Sequence, residues 1–191
     1  MAVRILCIGD VVGKPGRRML SDHVGDLVAT HGIDLVVCNV ENIAGGSGIT
    51  PQIYQKVLRY GVDVMTLGDH VFRRKEIAET LAASERIVRP HNLSPHAAGR
   101  GWTLVPTKSG EHTVAVACVL GQMFMGQNDS PWQATETIMA EIPEHVSLRV
   151  LDMHAEATSE KIAMGWHLNG RATVVFGTHT HVPTADAAVL D

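Results

Sequence analysis

Short apolar runs alternate along the chain with stretches in which apolar residues recur every three or four positions. The runs predict strands over Val3 to Gly9, Leu35 to Val40, Val62 to Leu67, His112 to Leu120, Ser147 to Met153 and Thr173 to Gly177. Most are rich in β-branched residues and apolar at successive positions rather than at every second one, the pattern of strands buried on both faces. Between them, Met19, Leu20, Val24, Leu27 and Val28 share one face of a helix predicted over Pro15 to His31, which Gly32 stops. A second helix is predicted over Pro51 to Tyr60, with Thr50 as N-cap, Pro51 at its first position and Gly61 after its end. Three more are expected over Arg73 to Ala83, Trp132 to Ala140 and Ser159 to Leu168, the last capped by Thr158 or Ser159. Strands alternating with crossover helices place the chain in the α/β class, as a sheet covered on both sides by helices. The Gly- and Pro-bearing stretch from Arg89 to Gly101 is too short to divide it, so residues 1–191 read as one domain.

Composition agrees with an ordinary globular domain: 191 residues, of which 45% are hydrophobic and 19% charged, with a net charge of -4. No window approaches the roughly 18 uninterrupted apolar residues of a membrane span, and MAVRILCIGD reaches Asp10 too early for a signal peptide, so a cytoplasmic location is expected. The mild negative charge argues against a broad nucleic-acid surface, which needs clustered Lys and Arg. Cys7, Cys38 and Cys118 each lie inside an apolar run and are expected as reduced, buried thiols. Histidine is out of proportion: there are 11, in a chain with only 4% aromatic residues.

The apolar runs end in Gly9-Asp10, Glu41-Asn42, Gly68-Asp69-His70, Asp152-Met153-His154 and Gly177-Thr178-His179-Thr180-His181. Singly, each has an ordinary structural use: Asp10 and Glu41-Asn42 as turn or cap residues, His70 and His154 as structural histidines. Together they form a set, because loops at the carboxyl ends of parallel strands share one edge of a sheet. Oxygen and imidazole ligands without thiolates suit Mn, Fe or Zn, and their number exceeds the need of one ion, which suggests two metals bridged by a carboxylate. His23, His31, His96, His112, His145 and His167 read as structural; His91 sits in a loop that could reach a substrate. The stretch from Gly9 to Gly16 is not a phosphate-binding loop, since three residues rather than four separate Gly9 from Gly13-Lys14, and Pro15 follows. Lys14, Arg17 and Arg18 beside it read as solvated charge, with anion attraction at a helix start as the alternative.

These residues resemble the YmdB-like branch of the calcineurin-type metallophosphoesterases, over essentially the whole chain. The resemblance is carried by Gly9 to Arg17, Glu41-Asn42 before Ala44-Gly45-Gly46, Leu67 to His70, Arg89-Pro90, His154 to Lys161 and Gly177 to Asp186. It implies a four-layer α/β sandwich holding two divalent metal ions, often iron in this branch. Asp10, Asn42 and His181 would bind the first ion, Asp69, His154 and His179 the second, and Glu41 would bridge them. The implied activity is hydrolysis of phosphodiesters such as 2',3'-cAMP by a metal-activated hydroxide, with His70 as general acid, and a homo-oligomer is implied as well. Two departures accompany it. Asp69 stands where the family has Asn, which adds a negative charge to those of Asp10 and Glu41; it is expected to tighten the second metal and weaken its Lewis acidity. Relatives also continue past the block ending at Asp186, so this chain is expected to lack C-terminal strands of the sandwich. A catalytically weak regulatory or binding protein that keeps its metals is the rival reading, whereas a metal-free nucleotide-binding domain leaves the histidines unexplained.

Overall fold

A computed structural model describes residues 2–190. In chain order its elements are β1 (Ile5–Ile8), α1 (Gly13–His31), β2 (Leu35–Asn39), α2 (Pro51–Arg59), β3 (Val64–Thr66), α3 (Ile77–Ala83), β4 (Ile87–Val88), β5 (Trp102–Pro106), β6 (Thr113–Leu120), α4 (Pro131–Glu141), β7 (Leu148–Ala155), α5 (Thr158–His167) and β8 (Val174–His179). They build two sheets. One is the parallel sheet β1-β2-β3-β4; in the other, β5-β6-β7-β8, only the β5–β6 pair is antiparallel.

Side-chain alternation along the strands explains how the sheets stack. In β2, Val36 and Cys38 join Met65 of β3 under Leu20 and Val24 of α1, Val57 of α2 and Leu81 of α3. The opposite face of the same strand offers Leu35 and Val37, which with Val64 pack on Val114 and Val116 of β6 and Val150 of β7. On the far side of the second sheet, Ala117, Leu151 and Met153 meet Ile138 of α4 and Met164 of α5. The layers therefore run helix, sheet, sheet, helix, as the resemblance implied. The hydrophobic pattern by itself led to one sheet with helices on both sides, and this is corrected: successive apolar positions report burial of both faces, but a second sheet buries a face as well as a helix does.

Several element ends follow their local chemistry. Thr50 Oγ1 accepts from Ile53 N at 3.3 Å and Pro51 opens α2, as its sequence predicts. Gly32 closes α1 at φ 60°, in the left-handed region that glycine adopts freely. The helix expected from Arg73 begins only at Ile77, because Arg73 N is drawn to His70 O in a turn and Arg74 reaches Ala44 O. Neither Thr158 nor Ser159 caps α5, which starts at Thr158 after Ala157. Strands β4 and β5 fall where none was expected; β4 has two residues, and β5 is a half-buried edge whose WTLVP alternates too briefly to stand out. Cys38 and Cys118 are buried and Cys7 partly so, all three free. Burial, with Asp152 nearby, pushes the Cys7 thiol up to about 12. Among the described residues, no helix is long and apolar enough to cross a membrane.

The sheet-to-sheet contact can be probed at Leu35, which is wholly buried. Leu35→Ala should lower unfolding free energy by about 2 to 5 kcal/mol in urea denaturation. Leu27→Ala, on the exposed flank of α1, should change it by less than about 1 kcal/mol.

Candidate metal centre

Strands of both sheets run out at one edge of the sandwich. From the first sheet come Asp10 after β1, Glu41 and Asn42 after β2, and Asp69 and His70 after β3. The second sheet supplies His154 within β7, His179 at the end of β8 and His181 two residues on. All eight residues singled out in the sequence meet here.

Four of them form a tight cluster: Glu41, Asp69, His154 and His179 each offer a ligand atom, and these atoms lie within 4.8 Å of one another. His154 Nε2 is 3.3 Å from both Glu41 Oε1 and Asp69 Oδ1, and 3.2 Å from His179 Nδ1. A second set adjoins it. His181 Nε2 lies 3.5 Å from Asp10 Oδ1 and 3.2 Å from Asn42 Nδ2. Glu41 belongs to both sets, for its Oε1 also accepts from Asn42 Nδ2 at 3.1 Å. Gly68 keeps the space clear, since a Cβ there would stand 2.2 Å from His154 Nε2 and 2.3 Å from Glu41 Oε2.

Charge is the dominant feature of this edge. Glu41 is buried, and the Asp10 side chain is 3% exposed. Asp10 Oδ2 accepts from His179 N at 2.8 Å, while its Oδ1, aimed toward His181, has no hydrogen-bond partner among the described residues. A buried carboxylate oxygen without a donor is costly unless a cation faces it. Burial works against a charged His154, yet Asp69 and Glu41 outweigh it and raise its pKa to about 10. Asp69, bonded to His154, is in turn held down at about 2. Burial would raise the Glu41 pKa, but the bond from His154 prevails and lowers it. Carboxylate oxygen and imidazole nitrogen, packed at this density, fit first-row transition ions.

The loop carrying the two late histidines is strained. His179 has φ 90° and His181 φ 53°, both in the left-handed region that side chains with a Cβ avoid. Such conformations cost of order 1–3 kcal/mol each and persist where the surroundings impose them. Here Asp10 holds the backbone of His179, and Lys161 Nζ of α5 donates to Thr180 Oγ1 at 3.0 Å. The Lys161 stem lies over Gly177, where a Cβ would come within 2.7 Å of its Cδ.

Other sequence candidates lie outside the cluster. Loop residue His91 is half-buried, packs on Gly101 and donates its backbone N–H to Cys118 O. Arg17 donates to Ile43 O, and Arg18 forms an exposed pair with Asp22. Sequence reasoning assigned no role to Asn39, Thr66, Asp152, Glu156, Lys161 and Thr178, which hold the candidate ligands or their loop from behind. Asp152 carried a usable signal, a carboxylate inside an apolar strand and two residues before a candidate ligand, hence on the same face.

Comparison with known proteins agrees with this geometry. The family model described as YmdB-like protein matches residues 6–191. The chain is 40% identical over 188 residues to a 2',3'-cyclic-nucleotide 2'-phosphodiesterase of Bacillus subtilis, covering 98% of this chain and 70% of that protein. Its fold superposes with a TM-score of 0.91 on a hypothetical protein from Thermus thermophilus at 39% identity, covering 98% of this chain and 72% of the other. A phosphatase from Mycoplasma pneumoniae superposes at 0.89 with 29% identity, over 97% of this chain and 67% of that one.

If the edge is built for cations, Mn²⁺ or Zn²⁺ added to chelator-treated protein should raise its melting temperature. At a hundredfold excess over the dissociation constant the gain is about 2.7 kcal/mol, or roughly 5 to 10 °C for a chain of this size. Gly68→Ala should remove that increase, because its Cβ occupies the ligand space. An equal increase in wild type and Gly68→Ala would show that the ions bind elsewhere.

Proposed function

The chain belongs to the YmdB-like family, and on that premise we propose that it is a metal-dependent phosphodiesterase acting on small phosphodiesters, among them cyclic nucleotides such as 2',3'-cAMP. The observation that carries this reading is the cluster of Glu41, Asp69, His154 and His179, with Asp10, Asn42 and His181 beside it and Asp10 Oδ1 without a hydrogen-bond partner among the described residues. Asp10, Asn42 and His181 would hold one ion, Asp69, His154 and His179 the other, with Glu41 shared. When bound, two divalent ions, iron or else manganese or zinc, supply Lewis acidity toward the phosphoryl group and make water more acidic.

The residues themselves supply positioning and a proton. His70 is tied at two points: its backbone N–H donates to Glu41 Oε2 at 2.9 Å, and its Nδ1 lies 2.9 Å from Asn42 Oδ1, an acceptor that fixes a proton on Nδ1. The ring therefore turns Nε2 outward, with 27% of the side chain exposed. A protonated Nε2 can give its proton to the alkoxide that leaves as the P–O bond breaks. General acids of this kind contribute about 10² to 10⁴ in rate. Asp69 Oδ2 stands 3.5 Å from the same Nε2, so the carboxylate in place of the family's Asn touches both the proton donor and the ligand cluster. That contact favours the rival reading, a metal-holding regulatory or binding protein with weak catalysis.

His70→Ala separates the two readings, because the leaving groups differ in their need for a proton. With metal content unchanged, the variant should lose about 10² to 10⁴ in hydrolysis of 2',3'-cAMP. It should lose far less on bis-p-nitrophenyl phosphate, whose nitrophenolate departs unprotonated. Metal-loaded wild type that turns over neither compound would favour the regulatory reading. Asp69→Asn should weaken binding of the second ion and increase turnover at saturating metal; unchanged binding and rate would deny Asp69 any role.

A further inference from the structure

Behind the ligand cluster, between the two sheets, lies a buried polar group that the proposed metal coordination does not use. Asp152 of β7 is fully buried and accepts three hydrogen bonds, from Asn39 Nδ2 of β2 at 2.9 Å, Thr66 Oγ1 of β3 at 2.5 Å and Thr178 Oγ1 of β8 at 2.6 Å. Thr178, itself buried, also stands 2.8 Å from Nδ1 of His154. A hydroxyl has one proton to donate, and Thr178 Oγ1 directs it to Asp152 Oδ1. Toward the imidazole Thr178 Oγ1 can then only accept, with one of its two lone pairs, which requires the proton of that contact to sit on His154 Nδ1. Asn39 Nδ2, 3.3 Å from the same Nδ1, gives one proton to Asp152 at 2.9 Å and has Thr178 Oγ1 at 3.4 Å for the other, and it offers the imidazole no acceptor. With Nδ1–H fixed, Nε2, the atom 3.3 Å from both Glu41 and Asp69, is the nitrogen whose proton a metal ion would replace.

We infer that Thr178 and Asp152 are positioning residues that hold His154 as the Nδ1–H tautomer, so that Nε2 is the nitrogen presented to the second metal. The inference rests on the metal reading above and names what prepares its most buried ligand. His179 provides an internal contrast. Its Nε2 lies 3.1 Å from Glu156 Oε2, so it presents the opposite nitrogen, Nδ1, to the same cluster. One ligand has a half-exposed carboxylate directly behind it. The other has a buried carboxylate acting through a hydroxyl, which orients the ring while keeping that negative charge one group further from the ion. Partners behind metal-bound histidines are typically worth 10- to 100-fold in metal affinity.

Thr178→Val and Thr178→Ser test this, since valine keeps the shape without the hydroxyl and serine restores it. Chelator-treated proteins, checked for folding by thermal unfolding, are titrated with Zn²⁺ in a calorimeter. The tautomer of His154 in the loaded protein is read from its ¹⁵N side-chain shifts. Wild type should bind two ions with Nδ1 protonated; Thr178→Val should bind one of them about 10- to 100-fold more weakly, and Thr178→Ser should recover most of the loss. Equal affinity in wild type and Thr178→Val, or a serine variant as weak as valine, would overturn the assignment. If Thr178→Val does not fold, wild-type spectra still decide, for a bare Nδ1 in the loaded protein contradicts it. Wild type that takes up no Zn²⁺ would overturn the metal reading along with it, a failure distinct from equal uptake by wild type and variant.

Discussion

Face-to-face packing of the two sheets is the contact on which the centre depends. Glu41 and His154 belong to different sheets, and their 3.3 Å approach exists only because Leu35, Val37 and Val64 lie flat on Val114, Val116 and Val150. That apolar layer gives way toward the carboxyl ends of the strands to Asn39, Asp152 and Thr178, and then to the ligands. The same alternation of side chains that makes the core thus delivers the polar groups, one step further along each strand. In β7, Val150, Asp152 and His154 point to a single face and pass in two steps from core to support to ligand.

Much of this was legible in the sequence. Runs apolar at successive positions identified six of the strands, and the polar residues closing five of them are those that meet at the candidate site. What the pattern could not show was the identity of the layer covering each face. Val36 and Val37 are equally buried, one under helices and one under a sheet, and nothing in a valine distinguishes them. β4 and β5 escaped because two residues, or five at a half-buried edge, are too few to establish a period. The supporting residues were hidden for another reason. Thr178 and Asn39 acquire meaning only from groups more than twenty residues away, such as the Asp152 that both contact.

The centre also shows where the fold tolerates unfavourable local terms. His179 and His181 adopt backbone angles that cost energy, and three carboxylates crowd a poorly solvated edge. Both costs are offset by the same contacts: Asp10 secures the strained backbone with one oxygen and leaves the other facing the ligands, while Lys161 anchors the residue between the two histidines. Strain and excess negative charge coincide because both serve to aim donors at a common point.

The candidate ligands are also far apart in sequence, from Asp10 to His181. A chain emerging from the ribosome could form the first sheet with its helices and still own only half a centre, since every imidazole of the ligand set comes from β7 or later. Ions would then find no complete partner on a partly folded molecule. On the proposed reading, metal capture has to wait for the second sheet, and a bound ion certifies that both sheets have docked in register.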